Sequence, residues 1–354
     1  MGKTSDYNKK VRTDKLNTLQ DLKSKLPSYV APYLDGLMID YQPNTMVAYA
    51  RDLITFFQYL QEMNPALKDT EIKDIPLEVI DSLATQDIIE YRNYLAFNNG
   101  VNEHSNQASS INRKMAPLKG FFSSVHDLGM IESNPTDYNF GRKRKKSDKK
   151  EIVYLEKDEV QSLMHTVENS RVATDHQKAF AEKTQLRDTA ILTLLLNTGI
   201  RVSECAGIDL NDLDLENRSV RVVRKGGAEQ TVYFNEKTAS ALSDYITLER
   251  PDYLENDDEN ALFLSIFRKR MGVRGIENMV KKYSQNAVPN KHITPHKMRS
   301  TYGTALYDET SDIRLVADVL GHEDVTTTAR HYASLKEKHR REAGDIDIFE
   351  QGEQ

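Results

Sequence analysis

Between Tyr41 and Gln61 the apolar positions Met46, Tyr49, Leu53, Phe56, Phe57 and Leu60 recur at steps of three and four, behind Pro43 and a capping Asn44. That spacing predicts an amphipathic helix with one face on a core. A second helix is expected after Thr85, where Ile88, Tyr91 and Leu95 share a face and Asn99-Gly100 supplies an end. A third is expected from about Ser109 to Leu128, interrupted by Pro117, which lacks an amide hydrogen and should bend it near Arg113 and Lys114. Ser133-Asn134-Pro135 closes this set, so residues 1 to about 140 read as all-helical.

The second half opens with a helix after Leu155, with Val160, Leu163, Met164 and Val167 on one face. A strongly apolar helix from about Leu186 to Leu196 ends at Asn197-Thr198-Gly199. The one convincing β signal follows. Val220 and Val222 alternate with Arg221 and Val223, Gly226-Gly227 supplies a turn, and Thr231 to Phe234 returns. Helical patterns resume at Thr238, Ile276, Pro295 and Ile313. The fold class expected is mainly α with a small β-hairpin or sheet, in two domains: a helical N-terminal domain and a mixed α/β C-terminal one.

Length supports that division, because 354 residues exceed what one small core organises. The boundaries expected are 1–140, a basic linker at 141–151, and 152–354. With 38% hydrophobic residues and charge of both signs throughout, the chain is folded rather than disordered or fibrous. Its most apolar stretch, Ala190 to Leu196, is far shorter than the roughly 18 residues a membrane span needs. The start of the chain lacks the apolar core of a secretory signal, and Asp6 stands where a myristoylation site wants Ser or Thr. The one cysteine, Cys205, permits no internal disulfide, so a cytoplasmic protein is expected.

The net charge of −6 argues mildly against a polyphosphate partner. Its distribution argues the other way. Gly141 to Lys150 carries seven cations in ten residues, while Asp345, Asp347, Glu350 and Glu353 mark the far end. Such a run is either a solvated linker or a phosphate contact. Ile346, Ile348 and Phe349 stand among those late acids, too isolated to form a core, and are expected to dock on a neighbouring protomer or to fray.

Several residues invite chemistry. Arg201 follows a glycine break where a helix starting near Val202 would present it at a positive end, although an ordinary pair with Glu204 explains it as well. His296 and Arg299, behind Pro295, lie one helical turn apart. A metal bound by His292 and His296 is disfavoured, since Pro295 breaks the helix such a pair needs and no further ligand cluster appears. His322 follows the helix face of Leu315, Val316, Val319 and Leu320 at its Gly321 stop, a place where structural histidines are common. Tyr332 is one of 17 tyrosines.

In their order along the chain, Arg201, Lys225, His296 with Arg299, Leu-Gly-His at His322 and then Tyr332 resemble the signature of the tyrosine recombinase and integrase family. The helix carrying Thr45, Tyr49, Leu53, Phe56 and Leu60, with Ile111-Asn112-Arg113-Lys114, is similar to that family's N-terminal DNA-clamping domain. The likeness is nearest to Xer-type enzymes, and Leu26-Pro27-Ser28-Tyr29-Val30 resembles the branch that acts without a paired homologue. The chain departs from the family at two places. Its hairpin reads Arg224-Lys225-Gly226-Gly227-Ala228-Glu229-Gln230 where members commonly have Gly-Lys-Gly-x-Lys-x-Arg, and Tyr332 lies ten residues after His322 where many have nine.

The resemblance implies a site-specific recombinase in which Tyr332 attacks a DNA phosphodiester, Arg201 and Arg299 clamp the phosphate, and Lys225, His296 and His322 handle charge and protons. It implies no cofactor and no metal, a double-stranded DNA site held in a C-shaped clamp, a homotetramer on two sites working through a Holliday junction, and room for an accessory partner such as a DNA translocase. Arg113, Lys114, Lys119, Arg142, Lys143, Arg144, Lys145 and Lys146 are the expected DNA contacts, at a cytoplasmic, nucleoid-associated location. The biological role implied is chromosome dimer resolution or mobile-element integration and excision. Two other readings stand beside it: relaxation of DNA by a type IB topoisomerase-like enzyme, and a catalytically silent DNA-binding accessory protein.

Overall fold

The computed structural model describes residues 6–97, 108–138, 153–169, 183–224, 226–254, 260–321 and Val325. The chain divides into two compact units, with the boundary between Lys146 and Ser147.

In the N-terminal unit the helices are α1 (Asp6–Ser24), α2 (Ala31–Gly36), α3 (Pro43–Met63), α4 (Leu77–Asp81), α5 (Thr85–Phe97) and α6 (Ala108–Asp127). The stripe foreseen on α3 faces inward, with Met46, Leu53, Phe56, Phe57 and Leu60 all buried. Asn44 is not its cap. Gln42 stands at that position without a side-chain bond, and Pro43 takes the first helical place, where a missing N–H costs nothing. Pro117 lies inside α6, which runs from Ala108 to Asp127, close to the span the sequence predicts. Leu118, Phe121 and Phe122 beyond it are fully buried, and their packing offsets the lost hydrogen bond. Polar α1, which no periodicity announced, packs on α3 through Leu19.

The C-terminal unit holds α7 (Lys157–Glu168), α8 (Gln185–Thr198), α9 (Val202–Ala206), α10 (Glu236–Asp244), α11 (Val273–Ala287), α12 (Pro295–Thr310) and α13 (Ile313–Leu320). Its sheet has three antiparallel strands in order: β1 (Leu213–Asp214), β2 (Ser219–Val223) and β3 (Glu229–Tyr233). Val220 pairs with Val232, and Val223 with Glu229. The two-residue β1 is too short to leave an alternation in the sequence. α8 is the centre of this unit, with Ile191, Leu192, Leu194 and Leu195 at 0% exposure. Among the described residues no helix is long and apolar enough to cross a membrane.

Candidate active site

The end of α8 sets the geometry. Gly199 has a left-handed φ of 62°, and a Cβ there would lie 2.6 Å from the Tyr302 ring and 2.8 Å from Leu320 Cδ2, so conformation and space both require glycine. Two residues on, Arg201 donates its backbone N–H to Glu204 Oε2 and its Nη1 to Glu204 Oε1, each at 2.8 Å. The ordinary ion pair is therefore real. It does not consume the side chain, which stays 34% exposed and also donates Nη2 to the Gly321 carbonyl at 3.2 Å.

α12 begins at Pro295, where the Thr294 side-chain oxygen accepts from the Lys297 N–H at 3.4 Å. This places His296 in the first turn and Arg299 one turn later. Desolvation, then the cations Lys297, Arg299 and Arg201, hold the His296 pKa below the ordinary imidazole value. Arg299 is buried, donating Nη1 to the Gly199 carbonyl at 2.7 Å and Nη2 to the Leu320 carbonyl.

The Leu320 and Gly321 carbonyls belong to the end of α13. A helix leaves its last C=O groups without intrahelical partners. Here the Gly321 N–H serves Ala317 and Asp318. The next three carbonyls in sequence, Val319, Leu320 and Gly321, accept from Arg224, Arg299 and Arg201 respectively. Three guanidiniums thus meet on one helix end, which is negative by its dipole, and the residue that follows in the chain is His322.

The structure therefore brings Arg201, His296 and Arg299 together. Lys225, His322 and Tyr332 lie outside the described residues, as do Arg142, Lys143, Arg144, Lys145, Lys146 and the late apolar cluster. Of the expected DNA contacts in α6, Arg113 is paired with Asp52 through two bonds of 2.8 and 3.2 Å. Lys114 is half-buried, and Lys119 lies 5.9 Å from the Tyr138 ring centroid. At about 100° per residue these three cations fan around α6 rather than lining one stripe. Among the described residues no group of three His, Cys, Asp or Glu side chains is arranged to hold a metal.

Sequence reasoning gave Arg224 no role. A signal was present. The period-two alternation Val220, Val222, Arg224 aims the arginine at the same buried side as the valines, and a buried cation requires partners.

Residues 153–339 match the Phage integrase family, and residues 30–126 match the Phage integrase, N-terminal SAM-like domain. The chain is 32% identical over 310 residues to tyrosine recombinase XerC of Caldanaerobacter subterraneus subsp. tengcongensis, covering 85% of this chain and 80% of the relative. It is 27% identical over 351 residues to tyrosine recombinase XerS of Lactococcus lactis subsp. cremoris, covering 93% and 98%. The fold is similar to that of the Tn1549 transposon integrase solved with circular intermediate DNA, with a TM-score of 0.61 at 20% identity over 89% of this chain and 99% of that one.

Proposed function

The chain belongs to the phage integrase family, as a tyrosine recombinase of the Xer kind, and we propose that it cuts and rejoins duplex DNA at a specific site through a 3′-phosphotyrosyl link. The observation that carries this reading is the meeting of the Arg201 and Arg299 guanidiniums on the consecutive carbonyls Gly321 and Leu320.

In-line attack on a phosphodiester adds negative charge to the non-bridging oxygens, and planar guanidiniums match that geometry with paired donors. Arg201, a third exposed, has N–H groups left to offer the phosphate beyond its bonds to Glu204 and Gly321, and buried Arg299 stands beside it on the same helix end. The attacking phenol, ordinarily near pKa 10, must lose its proton. His296 accepts it, since a depressed pKa keeps the imidazole neutral at pH 7. The new bond joins Tyr332 Oη to phosphorus, the bond from phosphorus to the 5′ oxygen breaks, and Lys225 gives that oxygen a proton. His322 supports the phosphate. The phosphotyrosyl link keeps the energy of the bond it replaced, so a second 5′ hydroxyl reverses the step without ATP.

Exchange between two duplexes involves four strands and one nucleophile for each, which calls for a homotetramer on two sites and a Holliday junction between the paired exchanges. The work belongs on the nucleoid in the cytoplasm, where a DNA translocase could deliver the sites. The basic run from Arg142 to Lys146, with Arg113, Lys114 and Lys119, would supply sequence-independent phosphate contacts.

The test is incubation with a nicked candidate site, followed by detection of protein joined to a 3′ DNA end. The native chain should form the adduct and Tyr332→Phe should not. Adduct from the Phe variant would place the nucleophile elsewhere, and relaxation of supercoils without joining of two sites would assign a topoisomerase.

A further inference from the structure

Arg224 is buried, and each of its three side-chain nitrogens serves a different element. Nη1 donates to Glu204 Oε2 on α9 at 2.8 Å, Nε to Gln230 Oε1 on β3 at 2.8 Å, and Nη2 to the Val319 carbonyl on α13 at 3.1 Å. Its backbone closes the hairpin turn as well, the N–H donating to the Ala228 carbonyl at 2.7 Å and the carbonyl accepting from the Gly227 N–H at 3.0 Å. Gly321 is fitted to it. A Cβ there would lie 2.9 Å from Arg224 Nε and 3.0 Å from Cζ. Glu204, the carboxylate that Arg224 holds by one oxygen, is held by Arg201 through the other.

From this geometry we infer that Arg224 is a positioning residue for the cleavage step, anchoring the root of the hairpin to the arginine pocket so that Lys225, the next residue, is delivered to the leaving 5′ oxygen. The inference rests on the reading of Lys225 as proton donor. One guanidinium satisfies three acceptors in fixed directions, whereas a lysine ammonium reaches them only as a single point. A turn with glycines at φ 90° and 89° gains a fixed end from this side chain.

The variants that test it are Arg224→Lys, which keeps the cation beside Glu204, and Gln230→Ala, which removes the β3 acceptor alone. Each is assayed for adduct formation on two nicked duplexes, one with the normal 5′ oxygen and one with sulfur in its place, since a thiolate departs without a proton. Arg224→Lys should be slower by about 10²-fold on oxygen and Gln230→Ala by about tenfold, because small misplacements of a reacting group cost that much. On sulfur both should come within about threefold of the native rate, with duplex affinity unchanged. Equal slowing on both substrates would overturn the assignment, since loss of fold or of the phosphate clamp does not depend on the leaving atom. Lys225→Ala separates the two levels. If it recovers on sulfur and the Arg224 and Gln230 variants do not, the positioning role falls alone; if it fails to recover, the proton-donor reading falls and takes this inference with it.

Discussion

In the N-terminal unit Phe56 meets Tyr91 at 5.0 Å and Phe122 at 6.0 Å, Phe121 meets Phe122 at 5.3 Å, and the buried polar side chains among the described residues are Asp52 and Thr136. The C-terminal unit instead buries Arg187, Asp188, Glu204, Arg224, Glu249, Arg250 and Arg299 within a mainly aliphatic core that also holds Phe234, Tyr245, Phe263 and Tyr283. Asp188, fully buried, accepts from Arg187, from Thr184 Oγ1 at 3.0 Å and from the Tyr283 hydroxyl at 3.0 Å. Burial of apolar surface is non-directional and supplies stability, with edge-to-face ring pairs adding a modest geometric preference. Buried charges are costly to desolvate and must be paired, but the pairing fixes orientation. One unit is built to hold together; the other accepts that cost in order to hold side chains at set angles.

Cutting the aromatic core should therefore harm folding and spare the chemistry of what folds. Phe56→Ala should lose about 3–5 kcal/mol in urea unfolding, with the adduct rate per folded molecule unchanged. A loss below about 1 kcal/mol would mean the ring cluster is not the keystone of that unit. The opposite pattern is expected at the arginine pocket. Arg201→Lys should slow adduct formation by about 10²- to 10³-fold while stability stays within about 1 kcal/mol of native.

A third test asks whether buried charge in the C-terminal unit costs what it should. Glu249 Oε2 accepts from the Leu186 and Arg187 N–H groups at 2.7 and 3.4 Å, whereas its buried Oε1 has no hydrogen-bond partner among the described residues. Burial, opposed by those two bonds and by the Arg187 charge, pushes its pKa up to about 7 from 4.5. The folded state thus favours the protonated acid. Its contribution is complete below about pH 4.5 and is lost as pH rises through about 7, a change on the order of 3 kcal/mol. Unfolding measured from pH 4.5 to 8 should show that decline relative to Glu249→Gln, which keeps an acceptor without the titration; parallel curves would reject it. The smallest effect belongs to the Asp52–Arg113 pair of the N-terminal unit, whose carboxylate is buried. Burial raises the Asp52 carboxyl pKa, and Arg113, its half-exposed partner, opposes the shift. Arg113→Ala should cost about 1 kcal/mol of stability at pH 7, and less as the pH falls and Asp52 takes up a proton. A cost that does not change with pH would mean the ion pair is not its source.

The periodic stripes of α3, α5 and α7 and the continuous apolar run of α8 were legible because pattern and burial agree along one segment. Polar α1 and two-residue β1 were not, since their placement depends on partners that local pattern does not encode. In the site, Arg201, His296 and Arg299 stood out by their order along the chain. Glu204 was visible only as a local pair. Arg224 stayed hidden because its acceptors Glu204 and Val319 lie 20 and 95 residues away, a proximity that only the fold creates.

The most direct measurement is identification of the atom that carries the DNA. After trapping on a nicked site, trypsin cuts following Arg330 and Lys336, and the peptide His331 to Lys336 isolates Tyr332 from every other tyrosine. Mass spectrometry should find the 3′ nucleotide on that peptide, joined at the Tyr332 phenol oxygen. A nucleotide on any other residue would contradict the assignment of the nucleophile and, with it, the role given to the arginine pocket.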